Sequence, residues 1–129
     1  MSTTDFSPVV KPVVTKDIRV FELRTYTTAP DRLKNLHARF RDHTCEIFEN
    51  HDMTNVAYWT PMDANKGKSN TLIYIISHFG TAQAKKNWKG FAGDPAWKRA
   101  RAASEKDGKI LAKAPHKVFL NPVDYSPIK

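Results

Sequence analysis

The chain has 129 residues, 40% of them hydrophobic and 11% aromatic, which indicates one globular domain and excludes a largely disordered protein. It contains no apolar run close to the ~20 residues that span a bilayer, so no membrane span is predicted. The net charge of +8 is unevenly distributed along the chain. The single cysteine excludes an intrachain disulfide and is typical of a cytoplasmic protein.

The first predicted element is an extended arm over residues 1–17, which lacks the apolar core of about 7–15 residues that a secretory leader needs. A single domain over residues 18–129 follows. It opens with a strand at residues 20–27, whose period-2 alternation places one trio of side chains on each sheet face. The two trios are Phe21, Leu23, Thr25 and Glu22, Arg24, Tyr26. The second trio forms either a solvated surface or one wall of a ligand pocket.

A long helix is predicted after this strand, beginning near Pro30, with Asp31 at the positive end of the helix dipole. Apolar residues then recur at helical spacing and define an inner stripe. The stripe consists of Leu33, Leu36, Phe40, Thr44, Ile47 and Phe48. We expect Arg39 on the opposite, polar side and His43 at the edge of the stripe that faces the sheet.

The remaining strands and helices are predicted from the same kinds of sequence pattern. Residues 53–61 predict a second strand, and residues 71–79 predict the most apolar strand, which we expect to be central and covered on both faces. Thr81 begins a helix that Gly93 ends, and Asp94 caps a further helix with Pro95 at its first position. Residues 116–121 predict the last strand.

The positive charge is concentrated in residues 81–113, which contain nine basic and three acidic residues. This concentration is typical either of a patch that attracts nucleic acid, phosphate or membrane, or of a solvated helix face. The solvated face is favoured, because the lysines lack the interleaved aromatics of a base-stacking surface. No nucleic-acid partner is therefore predicted.

The order of elements, β-α-β-β-α-β, predicts an α+β, ferredoxin-like fold with an antiparallel sheet and its helices on one face. The other sheet face would then expose apolar side chains over a larger area than monomers usually show. We therefore expect a homodimer in which two sheets pack into a dimeric α+β barrel.

Several stretches of the sequence also resemble one protein family. They are residues 22–26, 39–44, 53–59, 94–97 and 124–127, together with Trp88 and Phe91. Across residues 18–127 they are similar to the NIPSNAP family of the dimeric α+β barrel superfamily. Asp52 stands where that family more often has glycine, at a left-handed position that Asp tolerates. The resemblance implies the fold and the homodimer, but it supplies no catalytic motif that could be transferred residue by residue.

The candidate site centres on Arg24, Tyr26 and Glu22. Arg24 offers a guanidinium fork for a carboxylate or enolate, Tyr26 offers a hydroxyl as proton donor, and His43 is the candidate general base. The alternative is structural, with Arg24 paired to Glu22 and Tyr26 an ordinary sheet aromatic. Since superfamily relatives include cofactor-independent monooxygenases, whether the chain is an enzyme stays open.

Further candidate ligand-binding residues are His78 at the end of the third strand and three aromatic residues, Tyr58, Trp59 and Trp88, which form either a cavity floor or plain core. No metal site and no cofactor are predicted, because no two histidines have the i,i+4 spacing of ligands on a helix. The sequence thus favours a helix–sheet pocket for a small organic acid or phenol. The alternative is a non-catalytic dimeric interaction module, and an RNA-binding sheet is disfavoured because the third strand lacks that signature.

Overall fold

The computed structural model describes residues 19–129, so the arm predicted at residues 1–17 lies outside the described residues. Four strands and four α-helices fill the described part of the chain. They are β1 (Val20–Thr27), α1 (Leu33–Arg39), α2 (Cys45–Asn50), β2 (Thr54–Trp59), β3 (Thr71–His78), α3 (Thr81–Gly93), α4 (Pro95–Ser104) and β4 (His116–Leu120). A π-helical turn, Phe40–Thr44, joins α1 to α2, and a 3-10 turn, Ala64–Lys66, lies in the loop before β3.

The strands form one antiparallel sheet in the order β2-β3-β1-β4. In this register Arg24 of β1 lies between Tyr74 of β3 and Lys117 of β4. The helices cover one face of the sheet, and the predicted ferredoxin-like fold is confirmed. β1 and β3 are both central strands, which places the Glu22–Arg24–Tyr26 trio in the middle of the sheet.

The core lies between this sheet face and the helices. All six residues of the predicted helical stripe are buried, and the five apolar ones form one core cluster with Leu72, Tyr74 and Ile76 of β3. Phe40 and Phe48 contact the Tyr74 ring, with ring centroids 5.2 Å and 5.9 Å away. The face of β1 that carries Glu22, Arg24 and Tyr26 therefore points into an aromatic interior instead of into solvent.

The start of the first helix differs from the prediction. Asp31 has a φ of 64°, a left-handed conformation that a right-handed helix cannot include, so Pro30 and Asp31 form a turn and α1 begins at Leu33. The predicted dipole interaction of Asp31 is therefore wrong. Asp52, by contrast, has the expected left-handed φ of 61° after α2.

The π-helical turn changes two further predictions. Its i→i+5 hydrogen bond, from the Cys45 N–H to the Phe40 carbonyl, widens the turn, and residues 41–43 all face solvent. His43 is therefore exposed and does not face the sheet. Arg39 is buried instead of lying on the polar side, because it follows Leu36 by three residues and shares its inward face.

The second sheet face carries apolar side chains without a covering helix. Trp59 is 51% exposed, Val118 and Leu120 are also exposed, and Ile73 and Ile75 of β3 are half-buried. Part of the C-terminal tail lies at the margin of this face, where it lines a shallow cavity of about 460 Å³ with Phe21 and Trp59. Full cover of β3 on both faces depends on a second copy of the chain, which stays a prediction.

Candidate functional site

Glu22 and Arg24 form a buried ion pair on the helix-covered face of β1. The Arg24 Nη1 donates to Glu22 Oε2 at 2.7 Å, and the Glu22 side chain is completely inaccessible to solvent. Side chains two positions apart on a strand stand on the same face, which brings these two groups together. The pairing that the sequence offered as the structural alternative is therefore present.

The Glu22 carboxylate accepts two further hydrogen bonds. His78 Nε2 lies 2.8 Å from Oε1, and the Trp88 indole N–H donates to the same oxygen at 2.8 Å. Burial alone would raise the pKa of Glu22, but the hydrogen bonds from His78, Trp88 and Arg24 lower it to about 2. Glu22 is thus a fixed, ionised anchor, and His78 is held by it on one side and by the Asn87 amide, 3.0 Å from Nδ1, on the other.

Arg24 is held by aromatic rings as well as by Glu22. Its guanidinium carbon lies 4.2 Å from the centroid of the Trp88 ring and 5.6 Å from that of Tyr26, both within cation–π range. Burial would lower the pKa of Arg24, but its acidic neighbours Tyr26, Tyr74 and Glu22 raise it. Among the described residues its buried Nε–H has no hydrogen-bond partner, so Glu22 satisfies only part of the guanidinium.

Arg39 brings a second guanidinium to the same region from α1. It lies 4.9 Å from the Trp97 ring centroid and donates to Ser104 Oγ at 3.2 Å. Its nearest carboxylate, Glu105, is 3.8 Å away, too far for a good hydrogen bond. Burial lowers the pKa of Arg39, and within residues 19–129 no partner is found for its buried Nε–H. The spacing of Arg39 from Leu36 was the one sequence signal that could have identified it.

Tyr26 presents its hydroxyl beside Arg24 and shares a hydrogen bond of 2.9 Å with the Tyr74 hydroxyl. Tyr74 is completely buried, and burial raises its pKa well above the ordinary value, so its hydroxyl keeps its proton. The two rings meet edge to face, with centroids 5.4 Å apart. A fixed pair of hydroxyl groups therefore adjoins the two guanidinium groups.

These side chains line a cavity of about 540 Å³ between the helices and the sheet. Its aromatic walls are Tyr26, Phe40, Phe48, Trp88, Phe91 and Trp97. Its basic residues are Arg24, Arg39, Arg101, Lys109 and Lys113, and Glu105 is the acidic residue in the lining. The volume falls in the range of small-molecule sites, and the lining combines apolar area with positive charge, as a site for an organic anion requires.

The structure does not bring all predicted site residues to this cavity. Arg24, Tyr26 and Trp88 line it, whereas Glu22 and His78 lie behind Arg24. His43 is exposed on the π-helical turn, and Trp59 lies on the opposite sheet face.

Tyr58 lines a separate cavity of about 310 Å³ beside Cys45. Its hydroxyl donates to Asn55 Oδ1, and burial raises its pKa. Tyr58 therefore stays neutral and belongs to the structural core around Phe40 and Tyr74.

Residues 19–129 contain no cluster of three or more His, Cys, Asp or Glu side chains that could hold a metal ion. In the same residues no helix is long and apolar enough to cross a membrane. The charged side chains that line the cavity are those of its arginines, its lysines and Glu105.

Comparison with known proteins identifies a matching family model and several similar solved structures. The family model NIPSNAP matches residues 21–127, whereas no curated protein matches the chain. A NIPSNAP family protein of unknown function from Agrobacterium tumefaciens is 18% identical, with a TM-score of 0.71 over 88% of this chain and 96% of that one. An uncharacterised NIPSNAP-like domain protein from Burkholderia xenovorans is 14% identical, with a TM-score of 0.71 over 86% and 90% of the two chains.

A more distant structural neighbour is SnoaB, a cofactor-independent oxygenase from Streptomyces nogalater. It is 11% identical, with a TM-score of 0.53 over 85% of this chain and 98% of that one. At such identities the similarity shows a shared fold, and function has to be argued from the site itself.

Proposed function

The chain belongs to the NIPSNAP family, and we propose that it binds a small aromatic or enolic anion in the cavity between its helices and its sheet. One observation carries the proposal: two largely buried guanidinium groups, those of Arg24 and Arg39, meet at an aromatic-lined cavity with incomplete pairing. A buried cation without full compensation is costly, so a bound carboxylate, enolate or phenolate would offset that cost.

The aromatic walls indicate what kind of molecule should carry the anionic group. Trp88 and Trp97 each have one arginine stacked on them, and Phe91 lies between them, with ring centroids 5.5 Å and 4.6 Å away. A planar ligand can pack against these rings while its anionic group reaches the guanidinium groups. This favours a conjugated or aromatic acid over a flexible aliphatic one.

Tyr26 supplies the hydrogen-bond donor. In the described structure the buried Tyr74 hydroxyl has Tyr26 as its one side-chain partner, and either hydroxyl can be the donor in that hydrogen bond. We propose that Tyr74 donates, because its buried O–H has no other side-chain acceptor. The Tyr26 proton is then free to point at a ligand oxygen in the cavity. Arg24, Arg39 and Tyr26 together form a donor set that favours an enolate or phenolate oxygen over a neutral carbonyl.

Binding is better supported than proton abstraction. Among the described residues that line the cavity there is no histidine, and the Glu105 carboxylate is already engaged by Arg101 and by the Ile110 backbone N–H. A cofactor-independent reaction, such as that of the oxygenase SnoaB, would here need a substrate that is acidic enough to bind as its anion. Stabilisation of that anion is the step this donor set can perform.

Isothermal titration with 4-hydroxybenzoate and phenylpyruvate tests the proposal. Arg39→Met keeps the apolar volume at the cavity but removes the guanidinium, and we expect it to weaken binding about 10- to 100-fold, the effect of losing a charge-assisted hydrogen bond. Arg41→Met is the matched control, because Arg41 is exposed and does not line this cavity. Failure of both acids to bind, or equal affinities for the two variants, would refute the proposal.

The partner proposed for the open sheet face is a second copy of the chain. Support comes from the exposed apolar side chains Trp59, Val118 and Leu120, which continue the half-buried row of Leu23 and Ile75. A two-fold dimer would bury this row on both subunits. The cytoplasm is the proposed compartment, since Cys45 is a free thiol.

A further inference from the structure

The two ends of the cavity differ in burial although both are basic. Arg24 and Arg39 form the inner end, with side chains 12% and 4% exposed, whereas Arg101 at the outer end is 57% exposed and Lys109 and Lys113 are also exposed. We propose that the ligand carries two anionic groups, one at each end of its aromatic or enolic body. This inference rests on the proposed function and specifies its substrate class.

The two lysines of the outer end are held in place by the backbone between them. Ile110 is completely buried, its carbonyl accepts from the Ala29 N–H at 2.8 Å, and the Ala112 N–H donates to the Thr27 carbonyl at 2.8 Å. Leu111 forms a bridge with Thr28 at the end of β1 and also lines the cavity. Lys109 and Lys113 therefore flank an anchored segment at the cavity mouth and are not carried by a loose loop.

The charge of these lysines is not neutralised by the protein. Neither Lys109 nor Lys113 forms an ion pair with another described residue, and Glu105, the acidic residue of the lining, is already shared by Arg39, Arg101 and the Ile110 N–H. Other exposed lysines, such as Lys85 on α3 and Lys106 after α4, do not line the cavity. The positive charge left over at the mouth thus belongs specifically to Lys109 and Lys113.

The distribution of charge has a consequence for the ligand. A ligand with one anionic group would satisfy the inner arginines and leave the mouth lysines facing the apolar end of its body. A dianion with the groups at opposite ends of a planar body would meet a cation at each end and aromatic rings between them. The inner group would be bound by buried guanidinium groups, and the outer group would be bound by solvated ammonium groups. The contribution of the outer group should therefore depend on salt.

Pairs of ligands that match in shape test this inference. Terephthalate is compared with its monomethyl ester, and biphenyl-4,4′-dicarboxylate with biphenyl-4-carboxylate, by isothermal titration at low and moderate salt. We expect the better-fitting dianion to bind about fivefold or more tightly than its monoanion at low salt, a preference that falls as salt is added.

The variants separate the two ends of the site. Lys109→Gln combined with Lys113→Gln should bring the dianion to within about twofold of the monoanion, because it removes the cations that the outer anionic group would meet. The combination of Lys85→Gln and Lys106→Gln removes the same charge elsewhere and should keep the preference.

Equal affinities of mono- and dianions for the wild-type protein would overturn the inference and leave the proposed function standing. A preference that survives in the Lys109/Lys113 variant would also overturn it. If neither class of acid binds the wild-type protein, both proposals fail.

Discussion

Replacement of Glu22 by Gln should destabilise the fold by an amount that depends on pH. Glu22 has a pKa of about 2 in the folded chain against an ordinary value of 4.5. At about 1.4 kcal/mol per unit, this difference corresponds to about 3 kcal/mol of stability in the ionised form. The size agrees with the ~3–5 kcal/mol expected when one partner of a buried ion pair is removed, here leaving Arg24 without its carboxylate.

The direction of the pH dependence follows from the lowered pKa. Between pH 4.5 and about 2 the unfolded chain binds a proton at Glu22 that the folded chain does not, so stability rises with pH across this window. The contribution is complete above pH 4.5 and is lost as the pH falls towards 2. The Gln side chain resembles the protonated form, so the gap between the wild-type protein and Glu22→Gln should be about 3 kcal/mol at pH 7 and should narrow towards zero as the pH approaches 2.

Urea unfolding followed by tryptophan fluorescence at pH 7, 5, 4 and 3 measures this gap. Glu46→Gln is the control, because Glu46 is exposed on α2 and its loss should change the free energy of unfolding by less than about 0.5 kcal/mol at every pH. A gap for Glu22→Gln that stays constant from pH 7 to pH 3 would show that Glu22 is not held ionised by His78, Trp88 and Arg24. The assignment of Glu22 as a fixed anchor would then be wrong.

Four further substitutions probe the packing of the fold and the proposed dimer. Gly90→Ala should lower the melting temperature, because the new Cβ would lie 2.9 Å from Nδ1 of His51. In Gly93→Ala the new Cβ has no neighbouring atom within 4 Å, so this substitution should raise the melting temperature through the higher helix propensity of alanine. Differential scanning fluorimetry measures both changes. Tyr74→Phe should lower the free energy of unfolding in urea by about 1 kcal/mol, the net value of one hydrogen bond. An unchanged free energy of unfolding would mean that the hydrogen bond of the Tyr74 hydroxyl does not stabilise the fold. Ile75→Lys places a charge on the open sheet face and should convert a dimer to a folded monomer in sedimentation velocity, and a monomeric wild-type protein would contradict the dimer.

The fold was predictable because its elements are marked locally. Period-2 alternation identified β1, and the Asp94–Pro95 pair identified the start of α4, where the Asp94 side chain accepts from the Ala96 N–H at 2.8 Å. The helical stripe identified α1 and α2 because the side chains that must be buried recur every three or four residues. Such signals depend on neighbours in the sequence, and they survive small errors in the bounds of an element.

The site was predictable only in part, because it depends on distant contacts. Arg24 and Tyr26 were identified from one strand, but nothing near them in sequence shows that Trp88 and Tyr74 pack on them. Arg39 was missed for a different reason: charge favoured the solvent side, and its burial depends on the cover that Trp97 and Ser104 of α4 provide. The π-helical turn has no simple sequence marker, so the outward orientation of His43 could not be derived from periodicity.

The sequence left three states open for the charged face of β1: paired, bound to a ligand, or at a rim. Pairing in the structure leaves part of Arg24 available for the proposed ligand, because the two partners of the Glu22–Arg24 pair are not equivalent. Glu22 accepts from three donors and has no accessible surface left, whereas Arg24 uses one Nη for Glu22 and lines the cavity. A carboxylate held in this way fixes the guanidinium in one orientation before any ligand arrives, which lowers the entropic cost of binding. The ion pair would thus be the structural basis for the proposed anion site at Arg24, and the loss of Glu22 should weaken ligand binding even though Glu22 does not line the cavity.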